Sequence, residues 1–270
     1  LPVMDGMAKH LSTELPVLEV VWARYFFMVL ITLPLTFVFF RQHLSWPKSI
    51  QIQLIRSLFL FLSTILFFYA ISILSLAESL TLMFVAPIVV TFLSVILLKE
   101  KVGYRRWSAV TIGFIGALVV LRPGFNDIKL ETLAALGAGI SYAFYLISTR
   151  KLSSLDSPML TLVFSGFVGA IIISFFVPLV WITPTFNQLL IMIGLAAAGS
   201  IGHLLLILSL NFAEASKLAP LGYFEIVTNV IIGYYFFGDF PNRWIWIGLM
   251  IIVSSGIYIS FREKAKKTDL

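Results

Sequence analysis

Apolar runs of 18 or more residues, separated by short polar breaks, fill this chain from end to end. About 20 uncharged, mostly apolar residues make roughly 30 Å of helix, the thickness of a bilayer's hydrocarbon core. The pattern is clearest in AESLTLMFVAPIVVTFLSVILLKEKVGYRRW, Ala77 to Trp107, which is uncharged from Ser79 to Leu98 with Pro87 near its middle. It ends in the cations Lys99, Lys101, Arg105 and Arg106. A related stretch, AEASKLAPLGYFEIVTNVIIGYYFFGDFPNRW from Ala213 to Trp244, has the same Ala-Glu opening, an early proline and one charge, Glu225, near its centre.

The pattern predicts a stub, Leu1 to Leu11, then spans Pro16–Phe40, Leu54–Leu74, Ser79–Leu98, Trp107–Leu121 and Leu130–Thr149. Pro158–Val180, Leu189–Leu210, Leu218–Phe237 and Trp244–Phe261 follow, and a basic tail, FREKAKKTDL, closes the chain. The fold class expected is therefore an all-α integral membrane protein of about ten transmembrane helices. The apolar run before Lys9 is too short to span, so further residues are expected upstream of Leu1.

Composition agrees. The 270 residues are 60% hydrophobic and 12% charged, against about 45–50% and about 25% in globular proteins. Lipid must be the solvent for so apolar a chain. The net charge of +6 then reports basic cytoplasmic loops rather than nucleic acid. If the first helix starts in the cytoplasm, inside loops and tail hold about thirteen Lys and Arg, and outside loops about four (Lys9, Arg122, Lys129 and Arg243). That skew places both termini in the cytoplasm of a multi-pass protein of the bacterial inner membrane. The absence of cysteine excludes disulfides, thiolate metal sites and a Cys nucleophile.

Five helices per half is an odd number, so the second half must enter the bilayer from the opposite side. The halves expected are residues 1–124 and 125–270, related as an inverted repeat. Leu15 to Leu18 matches Ser157 to Leu160, Leu33-Pro34 matches Val177-Pro178, and SLAES around Glu78 matches NFAEAS around Glu214. Inverted halves build a substrate site at mid-membrane from helices interrupted by Pro or Gly.

Phe68 to Gly124, with its Leu-Ala-Glu, mid-helix proline, Glu-Lys, Arg-Arg-Trp, Gly-Phe-Ile-Gly and Arg-Pro-Gly, resembles the first EamA repeat of the drug/metabolite transporter superfamily. Gly199 to Pro241 resembles the second, through Gly-His, Ala-Glu-Ala-Ser, Leu-Ala-Pro, Tyr-x-Glu and Phe-Gly-Asp-x-Pro. Lys99-Glu100-Lys101 departs from the commoner Leu-Gly-Glu. The resemblance implies a ten-helix secondary transporter of a small organic metabolite, often an exporter of amino acids or related solutes. The partners it implies are that small-molecule substrate and the bilayer, with no cofactor; a homodimer is left open.

Ionisable groups inside a bilayer are functional candidates. Glu225, preceded by Pro220 and Gly222, is expected about seven residues into its helix with Asn229 one turn on, there to bind a proton or a cationic amine. A buried carboxyl that pins neighbouring helices would read the same way. Arg24 is expected either to face Glu225, to hold a substrate carboxylate with its two-pronged fork, or to snorkel to the outer headgroups. His203 is either a proton-coupling group or a hydrogen-bonded core histidine. Tyr142 and Tyr145, with Trp22 and Tyr223, are candidate cavity walls or packing. Asp5 and Lys9, four apart, read as a structural pair at the membrane edge, and Glu78 and Glu214 as helix N-terminal acids. The site is expected between the third, fourth, eighth and ninth spans.

Three scattered histidines and no neighbouring aspartates argue against an intramembrane protease or prenyltransferase, and there is no P-loop for ATP. A carrier working by alternating access is the reading that follows. A facilitative channel or uniporter remains the alternative.

Overall fold

The computed structural model describes residues 1–41, 46–121 and 129–239, with short pieces between 243 and 255. The expected tenth span, the loop holding Arg122 and the basic tail lie largely or wholly outside the described residues. The chain is all-helical where described: α1 (Pro2–Leu11), α2 (Val17–Phe39), α3 (Ile50–Ile73), α4 (Leu76–Met83), α5 (Ala86–Leu97), α6 (Tyr104–Leu121), α7 (Leu130–Leu152), α8 (Pro158–Ser174), α9 (Phe186–Phe212), α10 (Ala215–Leu218) and α11 (Phe224–Phe237). Six segments are long and apolar enough to cross a membrane, with α4 and α5 counted together and α8 extended to Leu179.

Helix ends follow local chemistry. Ser157 caps α8 by accepting the Leu160 amide, and Pro158 occupies the first turn, where its missing N–H is no loss. Thr185 and Gln188 form a reciprocal capping box at the start of α9. The fourth and ninth spans are not continuous helices. The fourth is interrupted between α4 and α5 at Phe84–Val85, just before Pro87. The ninth restarts only at Phe224, after a 3-10 turn over Ala219–Tyr223 that contains Pro220. Glu225 is therefore the second residue of α11 rather than the seventh of a longer helix. Proline cannot donate to the preceding turn, and the freed carbonyls need other partners.

The packing is paired. α1 lies on α9 and α7 on α3; α2 also meets α9 and α8 also meets α3; α1 meets α11 and α7 meets α4 and α5. Exchanging α1, α2, α3 and α4–α5 for α7, α8, α9 and α10–α11 turns each of these contacts into another of them. Two contacts, α2 with α8 and α4 with α11, map onto themselves.

Glycine sets the closest approaches. A Cβ on Gly139 of α7 would overlap the Met83 carbonyl oxygen, at the interruption between α4 and α5, and one on Gly169 of α8 would overlap the Tyr25 ring of α2. Small residues let membrane helices approach in this way.

One charge sits wholly inside this packing. Arg56 of α3 is fully buried. Its Nε donates to Thr149 Oγ1 at 2.7 Å, Nη1 to the Thr161 carbonyl at 3.1 Å and Ser165 Oγ at 2.5 Å, and Nη2 to Tyr145 Oη at 3.3 Å. Its guanidinium also lies 4.7 Å from the Tyr145 ring centroid. One side chain thereby ties α3 to both α7 and α8.

Gly139→Ala is expected to destabilise by about 1–3 kcal/mol, because backbone at an interruption cannot yield as a side-chain tip does. Arg56→Leu orphans a set of buried polar groups at about 1–3 kcal/mol each. Arg56→Lys should recover only part, since an ammonium cannot reproduce the planar fork. Thermal unfolding of the purified protein in detergent checks all three. A wild-type melting point for Arg56→Leu would show that these bonds do not hold the helices together.

Candidate polar site between the two halves

The polar candidates converge at the centre, on more helices than the sequence suggests. Arg24 enters from α2, and it neither snorkels nor reaches an acid. It is 3% exposed. Its Nη1 donates to Thr64 Oγ1 of α3, and its Nη2 lies 2.6 Å from His203 Nε2 of α9. Its charge also lies over the Tyr25 and Phe68 rings. Arg24 Nε has no hydrogen-bond partner.

These contacts fix the histidine tautomer. Guanidinium nitrogens can only donate, so His203 Nε2 accepts and Nδ1 carries the ring hydrogen. Nδ1 then donates to Tyr145 Oη, 3.1 Å away. Tyr145 accepts from Arg56 as well, so one chain of bonds runs Arg24–His203–Tyr145–Arg56 across α2, α9, α7 and α3. The Thr64 hydroxyl donates to the Leu60 carbonyl at 2.8 Å, so it accepts from Tyr25 Oη at 2.9 Å. His203 here is a neutral link, and a proton on Nε2 would eject Arg24.

The acids gather on the other wall. Asp5 of α1 is 2% exposed, and Asn229 of α11 is fully buried. Asn229 Nδ2 reaches Asp5 Oδ2 at 3.5 Å and the Glu225 carbonyl at 3.3 Å. Asn229 Oδ1 has no donor. Asp5 is thus a site residue rather than half of a pair with Lys9. Lys9 instead turns along α1 and donates to the Leu74 carbonyl at 2.7 Å and the Ile71 carbonyl at 3.5 Å, at the end of α3.

Asp5, Arg24, Thr64, Tyr142, His203 and Glu225 line one narrow polar cleft. Tyr142 and Glu225 also line an adjoining cavity of about 480 Å³, walled mainly by Leu, Met, Phe and Ala from α4, α5, α9 and the ninth span. An apolar chamber with a few polar groups at one end is the usual form of a small-molecule site.

Two aromatic candidates stand elsewhere. Trp22 is two residues from Arg24, about 200° around the helix. It stacks on Phe26 at 4.5 Å, meets Trp181 edge-on at 5.2 Å and donates to Ser174 Oγ at 3.2 Å, toward α8. Trp22 is therefore a packing residue and not a cavity wall. Tyr145 is fully buried in the bonded chain and stands behind Tyr142, ring centroids 5.5 Å apart. The side chain of Tyr223 lies outside the described residues.

The sequence reading missed two groups, Asp5 as a wall of the cleft and Arg56 as a buried anchor. Both were visible as charges within apolar segments, but nothing local says what faces them.

The EamA-like transporter family's profile matches twice, over residues 5–122 and 129–261. The S-adenosylmethionine uptake transporter of Rickettsia bellii is 29% identical over 260 residues, covering 96% of this chain and 89% of its own. The riboflavin transporter of Vibrio cholerae is 28% identical over 276 residues, covering 98% and 90%. The pseudopaline exporter of Pseudomonas aeruginosa is 24% identical, covering 97% and 92%. A solved crystal structure, 15% identical, superposes with a TM-score of 0.77 over 94% of this chain and 92% of its own. This multi-pass membrane protein belongs to the EamA-like transporter family, a family of transporters and not of enzymes.

Proposed function

We propose that the chain is a secondary carrier that moves a small organic metabolite, an amino acid or related carboxylate-bearing solute, across the bacterial inner membrane by alternating access. Residues 1–124 and 125–270 act as inverted halves around the cleft, both termini are cytoplasmic, and transport is coupled to protons or to exchange. The observation that carries the reading is the composition of that cleft. Two acids and a free amide oxygen stand on one wall, and a buried guanidinium with one unpaired nitrogen stands on the other.

A zwitterion suits such a pair of walls. Its ammonium would meet Glu225, Asp5 and Asn229 Oδ1, and its carboxylate would meet Arg24 Nε, a charge-assisted contact in a partly dry site. The rest of the solute would occupy the apolar cavity beyond Tyr142. The relatives are in keeping with this: S-adenosylmethionine carries an amino-acid group, and riboflavin offers a large planar body for an apolar chamber. A proton can take the ammonium's place on the acids, which is why Glu225 rather than His203 is the coupling group in this reading. His203 already uses Nε2 to hold Arg24.

Purified protein in proteoliposomes should show saturable counterflow of at least one of labelled S-adenosylmethionine, riboflavin or amino acids, after a thermal-shift screen of metabolites has ranked them. Flux that rises linearly with concentration, without counterflow, would mean a pore. Glu225→Gln is expected to lower transport at least tenfold while leaving the melting point near wild type. Transport indistinguishable from wild type would retire the role of that carboxylate.

A further inference from the structure

The fourth and ninth spans end in the same turn. α5 closes with Lys99 at φ +56° and α11 with Gly238 at φ +70°. The next amide, of Glu100 or Asp239, returns to the carbonyl six residues earlier, Ser94 or Gly233, at 3.1 Å in both cases. Glycine is the ordinary occupant of this left-handed cap; Lys99 adopts it regardless. Glu100 and Asp239 are therefore counterparts, each one residue past the cap. The same residue offset pairs the end of α3, Leu74, with the end of α9, Ala213. It also pairs Leu76 and Ala77 of α4 with Ala215 and Ser216 of α10.

Because the chain crosses between them, the two turns lie on opposite faces. On the Glu100 face the turn is docked. Glu100 accepts from the Ala215 amide at 3.0 Å, the Ser216 amide at 3.1 Å and the Ser216 hydroxyl at 2.6 Å. Arg150, near the end of α7, stands 3.9 Å from Glu100 and donates to the Leu210 carbonyl at 2.5 Å. Lys9, near the end of α1, makes the equivalent bond on the other face, to the carbonyl of Ile71, which is the counterpart of Leu210. The acid half is missing there. Asp239 is exposed, and among the described residues its carboxylate has no hydrogen bond or ion pair. The Leu76 and Ala77 amides it would meet donate to nothing.

We propose that Glu100 and Asp239 are a pair of gate residues, each docking in turn on the amides that open the opposite half's broken span. Glu100 closes its face in this conformation; Asp239 closes the other, on Leu76, Ala77 and Lys9, once Glu100 lets go. The proposal rests on the alternating-access reading and adds to it the groups that hold each end shut. Charge-assisted bonds of this kind are strong but few, so neither state is locked. Ser216 gives the Glu100 latch a hydroxyl that Ala77 cannot give its counterpart, which favours the state seen here.

The chain has no cysteine, so a single one can report which face reaches the cavity. Thr228 lines it. With Thr228→Cys in liposomes, a membrane-impermeant maleimide is applied to either face. Labelling is expected mainly from the Asp239 face. Adding Glu100→Gln should shift the ratio of the two labelling rates toward the Glu100 face about tenfold, and Ser216→Ala in the same direction by less. Asp239→Asn should shift it the opposite way. One-sided labelling that none of the three changes move would overturn the gate pair and leave the carrier standing. Equal labelling from both faces in the parent protein would overturn the carrier itself. Shifts in the same direction for Glu100→Gln and Asp239→Asn would overturn the pairing of the two acids.

Discussion

The contact on which the centre of this protein depends is between Arg24 Nη2 and His203 Nε2. It joins a helix of the first half to a helix of the second, at a depth where no water competes. Since arginine only donates, the imidazole must be neutral with its hydrogen on Nδ1, which then reaches Tyr145 and through it Arg56. The polarity of four helices is set by that one donor. The same contact occupies Arg24, which therefore cannot neutralise Asp5 or Glu225 by direct pairing. The acids across the cleft are left facing each other, an amide and whatever enters.

Lipid imposes the second constraint. Irregular backbone at membrane depth survives only where it is buried in protein or lines a cavity. Both interruptions obey it. The one between α4 and α5 is covered by Gly139 of α7, which has no side chain to hold it away. The 3-10 turn before α11 borders the cavity. The two broken spans touch each other, and each restarts beside the polar cleft. The same breaks that admit a ligand also create helix ends near each membrane face, and it is there that Glu100 docks.

Much of this is written in the sequence because the bilayer enforces a length on every apolar run. The spans from Pro16 to Phe237 appear within a few residues of where the pattern puts them, and Pro87 and Pro220 announce the two interruptions. What proline does not give is the register at which a helix resumes, so Glu225 proves to be in the first turn of α11. Partners across the bundle have no local signature either. Arg56 finds Thr149, Thr161 and Ser165 about a hundred residues downstream. Asp5 was assigned to Lys9 by helical spacing, although a lysine near a helix end reaches the carbonyls beside it more readily. Trp22 was drawn toward Arg24 by proximity in sequence, where a 200° turn separates them.

The arrangement of charge bears on how such a carrier avoids leaking. On the proposed reading, the cleft holds two carboxyls that no side-chain cation pairs, while the wall opposite holds a guanidinium committed to a histidine. Carrying bare charge through a closed, dry intermediate is expensive. The empty site can therefore change faces only with a cation or protons on its acids. A bound zwitterion supplies the ammonium and at the same time gives the free nitrogen of Arg24 an acceptor. Loaded and proton-loaded forms can then cross, and the bare form is held back by the electrostatics of its own site. Coupling needs no further device than that difference, provided one face is shut while the other is open.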